Sequence, residues 1–187
     1  MLSGQPPETR PACFGMPKSL NISRINSFQV ISKMVFNKIK DTVSRGDNIA
    51  VFVDGPNVVR KEFDLDLDEL RNRIEEEGNI KLAKVFLNQY ASDKLIEAIV
   101  SQGFEAALGL GGEKAKESDV DVYMATSAME SVFDDNIDKI VLVTRDTDFL
   151  PVIQKSKEHG KETILIGMEP GFSTALKNAS DKVIELD

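Results

Sequence analysis

A three-layer α/β fold on a mainly parallel sheet of five to six strands is predicted by three features of this 187-residue sequence. From Asn48 onward, short apolar runs alternate with helical stretches, as repeated strand–helix–strand units require. The run "IAVFVD" reads as a buried strand, and "KIVLVT" as a second strand of the same sheet. Glycines stand at the ends of the helical stretches, at Gly78, Gly103 and Gly160, where a chain leaves a helix most easily.

The elements follow in order. After "IAVFVD", the segment "DLDELRNRIEEEG" is a helix with Asp66 and Glu69 at capping-box positions. "KLAKVFLN" is the second strand, "SDKLIEAIVSQG" the next helix and "FEAALGL" the third strand. A loop, "GGEKAKES", leads to the helix "DVDVYMATSAMESVF" and to the fourth strand, "KIVLVT". A helix from about Phe149 to His159 precedes the strand "TILIG", a short helix near "STALKNA" and a closing edge strand, "KVIEL". There is no internal repeat.

Upstream, residues 1–24 hold most of the prolines and no usable periodicity, and are expected to be a disordered tail. Residues 25–45 are expected to form an amphipathic helix and linker, since Phe28, Ile31, Val35 and Ile39 recur at helical spacing. That stripe suits packing on the domain or on a second copy, a homodimer. Met34 is an alternative start, which intact-mass measurement of the natural protein would decide. Residues 46–187 form the expected functional domain.

Composition narrows the chemistry. Lys and Arg number 23 against 31 Asp and Glu, a net charge of -8, so nucleic-acid contact needs local basic patches or bridging cations. Cys13 is the single cysteine and His159 the single histidine, which excludes an intrachain disulfide framework and leaves too few soft ligands for zinc. Serine or cysteine catalysis through a histidine base is nearly excluded with them; His159, before Gly160, fits a donor at a helix C-terminus. Catalysis would have to use carboxylates. The chain has no apolar run of about 18 residues and no continuous apolar stretch near its N-terminus, so the expected location is the cytoplasm.

In a doubly wound sheet, sites collect beyond the carboxyl ends of the strands, above all where strand order reverses. Asp54 ends the first strand, and "VTRDTDF" sets Asp146 and Asp148 just past the fourth. In a core order 3-2-1-4-5 those strands are neighbours, and the helix carrying Asp119 and Asp121 in its first turn opens on the same rim. Two unit charges about 4 Å apart repel by roughly 4 kcal/mol at an effective dielectric near 20, so such a cluster takes up protons or a cation. An all-oxygen donor set favours Mg²⁺ or Mn²⁺, the ions of phosphoryl chemistry.

Each acid also has a plainer use. Asp54 fits an Asp-Gly turn, and Ser118 with Asp121 has capping-box spacing. Asp148 stands where the helix near Phe149 needs an N-cap, with Pro151 in the first turn, which leaves Asp146 without a capping duty. "GLGGEK" lacks the Gly-Lys-Ser/Thr ending of a P-loop and reads as a mobile loop whose Lys114 and Lys116 reach a phosphate backbone. Arg145 is placed for phosphate too, or is a surface arginine. Tyr90 and Tyr123 are too few for a base-stacking stripe.

"VFVDGPNV", "SDVDVYMATSAM" and "VTRDTDFLPVI", followed by "GKETILIG" and "EPGFSTAL", resemble the NYN domain, a branch of the PIN-like nuclease superfamily, and within it a group of archaeal-type NYN proteins. The resemblance covers about residues 48–187 and implies a PIN-like, Rossmann-like fold. It implies a Mg²⁺- or Mn²⁺-dependent ribonuclease in which metal-activated water hydrolyses RNA phosphodiesters to a 5′-phosphate and a 3′-hydroxyl. Asp54, Asp121, Asp146 and Asp148 would be the metal and catalytic acids, Asn57 would orient ligands, and Thr144 would support the loop presenting Asp146. Many members carry a further aspartate where this chain has Ser127, so either metal affinity is lowered or that acid is dispensable. Asp119 competes with Asp121, because residues two apart on a helix point about 200° apart. The alternative is a non-catalytic RNA- or protein-binding regulator on the same fold. A phosphatase resembling the haloacid dehalogenase class needs a second acid where Pro56 stands, and ranks last.

Overall fold

The computed structural model describes residues 46–58, 66–109 and 118–186. The expected tail, the N-terminal helix with its dimer face, and Lys114 and Lys116 lie outside the described residues.

Strand β1 (Asn48–Asp54) is buried at every position, because it sits in mid-sheet with both faces covered. It passes directly into a single helical turn, α1 (Gly55–Val58). Gly55 admits no side chain: an added Cβ would run into the Phe86 carbonyl oxygen and lie 2.6 Å from Leu87 Cδ2. The glycine of the Asp-Gly pair therefore lets the chain turn tightly over the neighbouring strand.

Helix α2 (Leu67–Glu75) starts at Asp66, whose carboxylate accepts the Asp68 and Glu69 backbone N–H groups. Glu69 faces Arg73 at 3.7 Å. Strand β2 (Asn79–Asn88), helix α3 (Asp93–Ser101) and strand β3 (Glu105–Gly109) follow, then helix α4 (Ser118–Val132) and strand β4 (Lys139–Val143). A 3₁₀ turn (Thr147–Phe149) runs into α5 (Leu150–Glu158), and β5 (Glu162–Gly167), α6 (Thr174–Ala179) and β6 (Lys182–Glu185) complete the described chain.

The six strands lie in the order β3-β2-β1-β4-β5-β6, every neighbouring pair parallel. The predicted core order is borne out, with β6 added at the edge. Period-two alternation sorts the strands' side chains into two cores. Ile49, Val51 and Val53 pack with Leu70 and Ile74 of α2 and Ile99 of α3 on one face. Ala50 and Phe52 pack on the other with Met124 and Ala128 of α4, Val152 and Ile153 of α5, and Leu176 of α6. Helices therefore cover both faces, and the fold is a three-layer α/β sandwich. Helix α4 turns Val120, Met124, Ala128 and Val132 inward, an i, i+4, i+8, i+12 row that lays it along the sheet.

Candidate functional site

Order reverses between β1 and β4, which are hydrogen-bonded neighbours with Val53 opposite Val143. The next residues, Asp54 and Thr144, leave the sheet side by side. Both continue the rows of Ala50–Phe52 and Ile140–Leu142, so both turn to the face that α4 and α5 cover. Their side chains meet there: the Thr144 hydroxyl donates to Asp54 Oδ2 at 2.8 Å across a sequence separation of 90. The same hydroxyl accepts the Asp146 N–H at 3.1 Å. One buried threonine thus ties the carboxylate of β1 to the loop that carries Asp146.

Asp54 is only 1% exposed. Its Oδ1 accepts the Asn57 N–H at 3.2 Å, where α1 turns back over the strand end. Burial raises its pKa above the ordinary carboxylate value; hydrogen bonds from Thr144 and Asn57 oppose the rise, and the charge of Asp146 adds to it. The donors to Asp54 are a hydroxyl and amides, all neutral, while its charged neighbour has the same sign. A cation or a proton would relieve that arrangement.

The other acids are placed unequally. Asp146 is half-buried, and its Oδ1 accepts the Asp148 N–H at 2.9 Å, so Asp146 is the N-cap of the 3₁₀ turn. This corrects the expected division of labour, in which Asp148 was the cap. The turn begins at Thr147, ahead of the predicted helix, and the capping position moves back with it. Asp148 is exposed within the turn. In the first turn of α4, Asp119 is exposed and Asp121 half-buried, a difference that follows from their angular separation. Ser127 is buried on the inner side of the same helix. Among the described residues, no three Asp, Glu, His or Cys side chains are gathered closely enough to cage a metal ion.

Arg145 does something that neither sequence reading contained. Its Nη1 donates to the Pro170 carbonyl at 2.6 Å, and its Nη2 to the Asn57 carbonyl at 2.9 Å and to Asn57 Oδ1 at 3.1 Å. The guanidinium is half-buried and bridges two loops of the rim. His159 behaves as its position suggested: Nδ1 is 2.9 Å from the Lys155 carbonyl at the end of α5, and the ring packs edge-on against Phe133.

Compared with known protein families, residues 48–187 match the NYN domain. The chain belongs to the NYN domain family. This NYN chain is also 49% identical over 170 residues to an uncharacterized protein of Methanocaldococcus jannaschii, an alignment that spans 89% of this chain and 67% of that one. A crystal structure of a Vibrio parahaemolyticus protein of unknown function superposes with a TM-score of 0.66 at 21% identity, covering 76% of this chain and 94% of that one. At that identity the likeness is one of fold. NYN domains belong to the PIN-like nuclease superfamily and are in general nucleases. Among the described residues of this one, no helix is long and apolar enough to cross a membrane.

Proposed function

We propose that this NYN domain is a metal-dependent ribonuclease whose reacting phosphate lies over Asp54 and Asp146 at the β1–β4 switch point. The observation that carries the reading is the buried Asp54 carboxylate, held by neutral donors with Asp146 as its like-charged neighbour. The donor set fits a hard divalent ion. Mg²⁺ in phosphoryl-transfer sites is commonly held through one or two carboxylates, with waters and substrate phosphates completing the shell. Asp54 and Asp146 would hold Mg²⁺ or Mn²⁺, with Asp121 and Asp148 as the further acids of the rim. When bound, such an ion supplies a water of lowered pKa and neutralises charge on the phosphate.

The chain's own residues supply the orientation. Thr144 and Asn57 fix both oxygens of Asp54, and the Thr144 hydroxyl fixes the backbone at Asp146. Lys114 and Lys116 would meet the RNA backbone. The absence of a three-acid cage among the described residues, with Ser127 where many members have an aspartate, favours one alternative: a non-catalytic RNA- or protein-binding regulator on the same fold.

Labelled RNA incubated with Mn²⁺ and either wild-type protein or Asp146→Asn separates these readings. Asparagine caps a turn as well as aspartate does, so the substitution removes charge and keeps the fold. Cleavage by the wild type alone is the expected result. Equal cleavage by both proteins indicates a contaminant, and metal-bound protein that cleaves nothing is the regulator. A melting temperature unmoved by millimolar Mn²⁺ would remove the metal-site reading, since a ligand of the folded state must raise it.

A further inference from the structure

We propose that Arg145 is a positioning residue for the acidic site, clamping the loop after β1 to the turn after β5 and thereby holding Asn57 and Asp54 in register with Asp146. Its functional consequence rests on the nuclease reading; its structural consequence rests on hydrogen bonds alone.

The acceptors come from segments 25 and 88 residues away in sequence, and both are braced from behind. Pro170 lies in a turn built by Glu169, whose Oε2 accepts the Gly171 and Phe172 N–H groups at 2.9 and 3.3 Å while Oε1 receives Lys177 at 2.9 Å. Gly171 has φ +94°, in the left-handed region that favours glycine, and a Cβ there would lie 3.5 Å from Arg145 Nη1. Beyond it the buried Phe172 ring closes over Gly167, where an added Cβ would come within 2.7 Å. The "EPGF" stretch is therefore a rigid receptor for one edge of the guanidinium. At the other edge, Asn57 accepts twice through its carbonyl and Oδ1, and its N–H in turn donates to Asp54 Oδ1.

One planar cation thus ties the exits of β1, β4 and β5, three adjacent strands. The geometry needs a fork. Lysine carries the same charge but is a point donor on a flexible stem and cannot reach both acceptor sets in a fixed plane. Three hydrogen bonds to protein oxygens are also what a phosphate contact would have to break.

The test uses the full chain and the variants Arg145→Lys, which keeps the charge, and Arg145→Gln, which removes it, with three readouts on the same samples: metal-free amide hydrogen exchange, Mn²⁺ affinity by calorimetry, and the salt dependence of binding to a single-stranded RNA oligonucleotide. The clamp predicts that exchange at Asn57 and Asp146 rises about tenfold or more while amides of the central strands are unchanged. It predicts that Mn²⁺ affinity falls by roughly 10–100-fold, as for residues that orient ligands, and that the salt slope does not move. Unchanged exchange in both variants with a salt slope lowered by about one in Arg145→Gln, which removes the charge, would make Arg145 a phosphate contact and overturn the proposal. Faster exchange throughout the domain would overturn it too, as the sign of a residue that merely stabilises the fold. If the wild type binds no Mn²⁺, the nuclease reading fails and the exchange pattern still decides the clamp.

Discussion

At the amino end of the sheet, Lys139 lies 3.1 Å from Asp47 and 3.3 Å from Glu162, and Asp138 Oδ2 accepts the Asn48 N–H at 2.8 Å; at the carboxyl end, Asp54 is buried among neutral donors with Asp146 beside it. The two ends respond to burial in opposite ways. Burial works against the charge on Lys139, but its two carboxylate partners outweigh it and hold the ammonium above its ordinary pKa. Burial of Asp54 is not outweighed, and its pKa is raised toward the neutral form. At the first end an ammonium of the protein pairs with two of the carboxylates. At the second a proton or a cation would balance the charge, and that asymmetry supports the proposal that the carboxyl rim is the working end of the molecule.

The largest test of the contrast is Asp54→Asn, which should cut Mn²⁺-dependent cleavage by more than the roughly 100-fold that bounds loss of a ligand-orienting residue. The same substitution should raise the metal-free melting temperature at pH 8. A carboxylate with a raised folded-state pKa contributes stability that is full below its unfolded value and lost as pH rises through the folded pKa, so the gain should shrink as pH falls toward 4. Asp181 has the opposite sign. Burial raises its pKa, but hydrogen bonds from Lys157 and Thr163 prevail and lower it, so its contribution is present above the unfolded value and lost on acidification. Melts of Asp54→Asn and Asp181→Asn from pH 3.5 to 8 should therefore diverge in sign at the upper end; parallel curves would break the comparison.

Thr144→Val should come next. It deletes the donor to Asp54 and the acceptor of the Asp146 N–H without changing side-chain shape, and the expected loss is about 10–100-fold in cleavage or Mn²⁺ affinity. Full activity in this variant would mean that the two acids are held by other contacts. The smallest effect is expected at the other end of the sheet. Lys139→Met should leave cleavage unchanged and cost about 0–1 kcal/mol in urea unfolding, since its carboxylate partners stay solvated. A cleavage defect there would show that the two ends are coupled.

Much of the fold could be read along the chain because its signals are local. The apolar run at Asn48–Asp54 marks a strand covered on both faces, and strand-helix alternation with glycine stops gives parallel pairing. Strand order then brings Asp54 to "VTRDTDF", and the period of two decides that Asp54 and Thr144 share a face. That only one of Asp119 and Asp121 can turn inward was legible from helical angle, while the choice of Asp121 came from the family resemblance; Asp121 is the more buried of the two.

The cap of Leu67–Glu75 was legible at Asp66, but the cap after β4 and the clamp at the rim were not, because they depend on how the chain is placed in space. Which aspartate caps the turn after β4 depends on a single step of backbone, and the 3₁₀ turn starting at Thr147 gave that duty to Asp146. The glycines, proline and glutamate of the β5 exit were visible as residues, but nothing local says that Pro170 would offer its carbonyl to Arg145. The sequence by itself determined which elements form, in what order, and which acids stand at their ends, since backbone periodicity and burial act over neighbouring residues. Only the tertiary structure decided that Thr144 would bridge two carboxylate-bearing loops and that Arg145 would hold protein oxygens: hydrogen-bond partners are chosen by distance in space, here across 88 to 90 residues of chain.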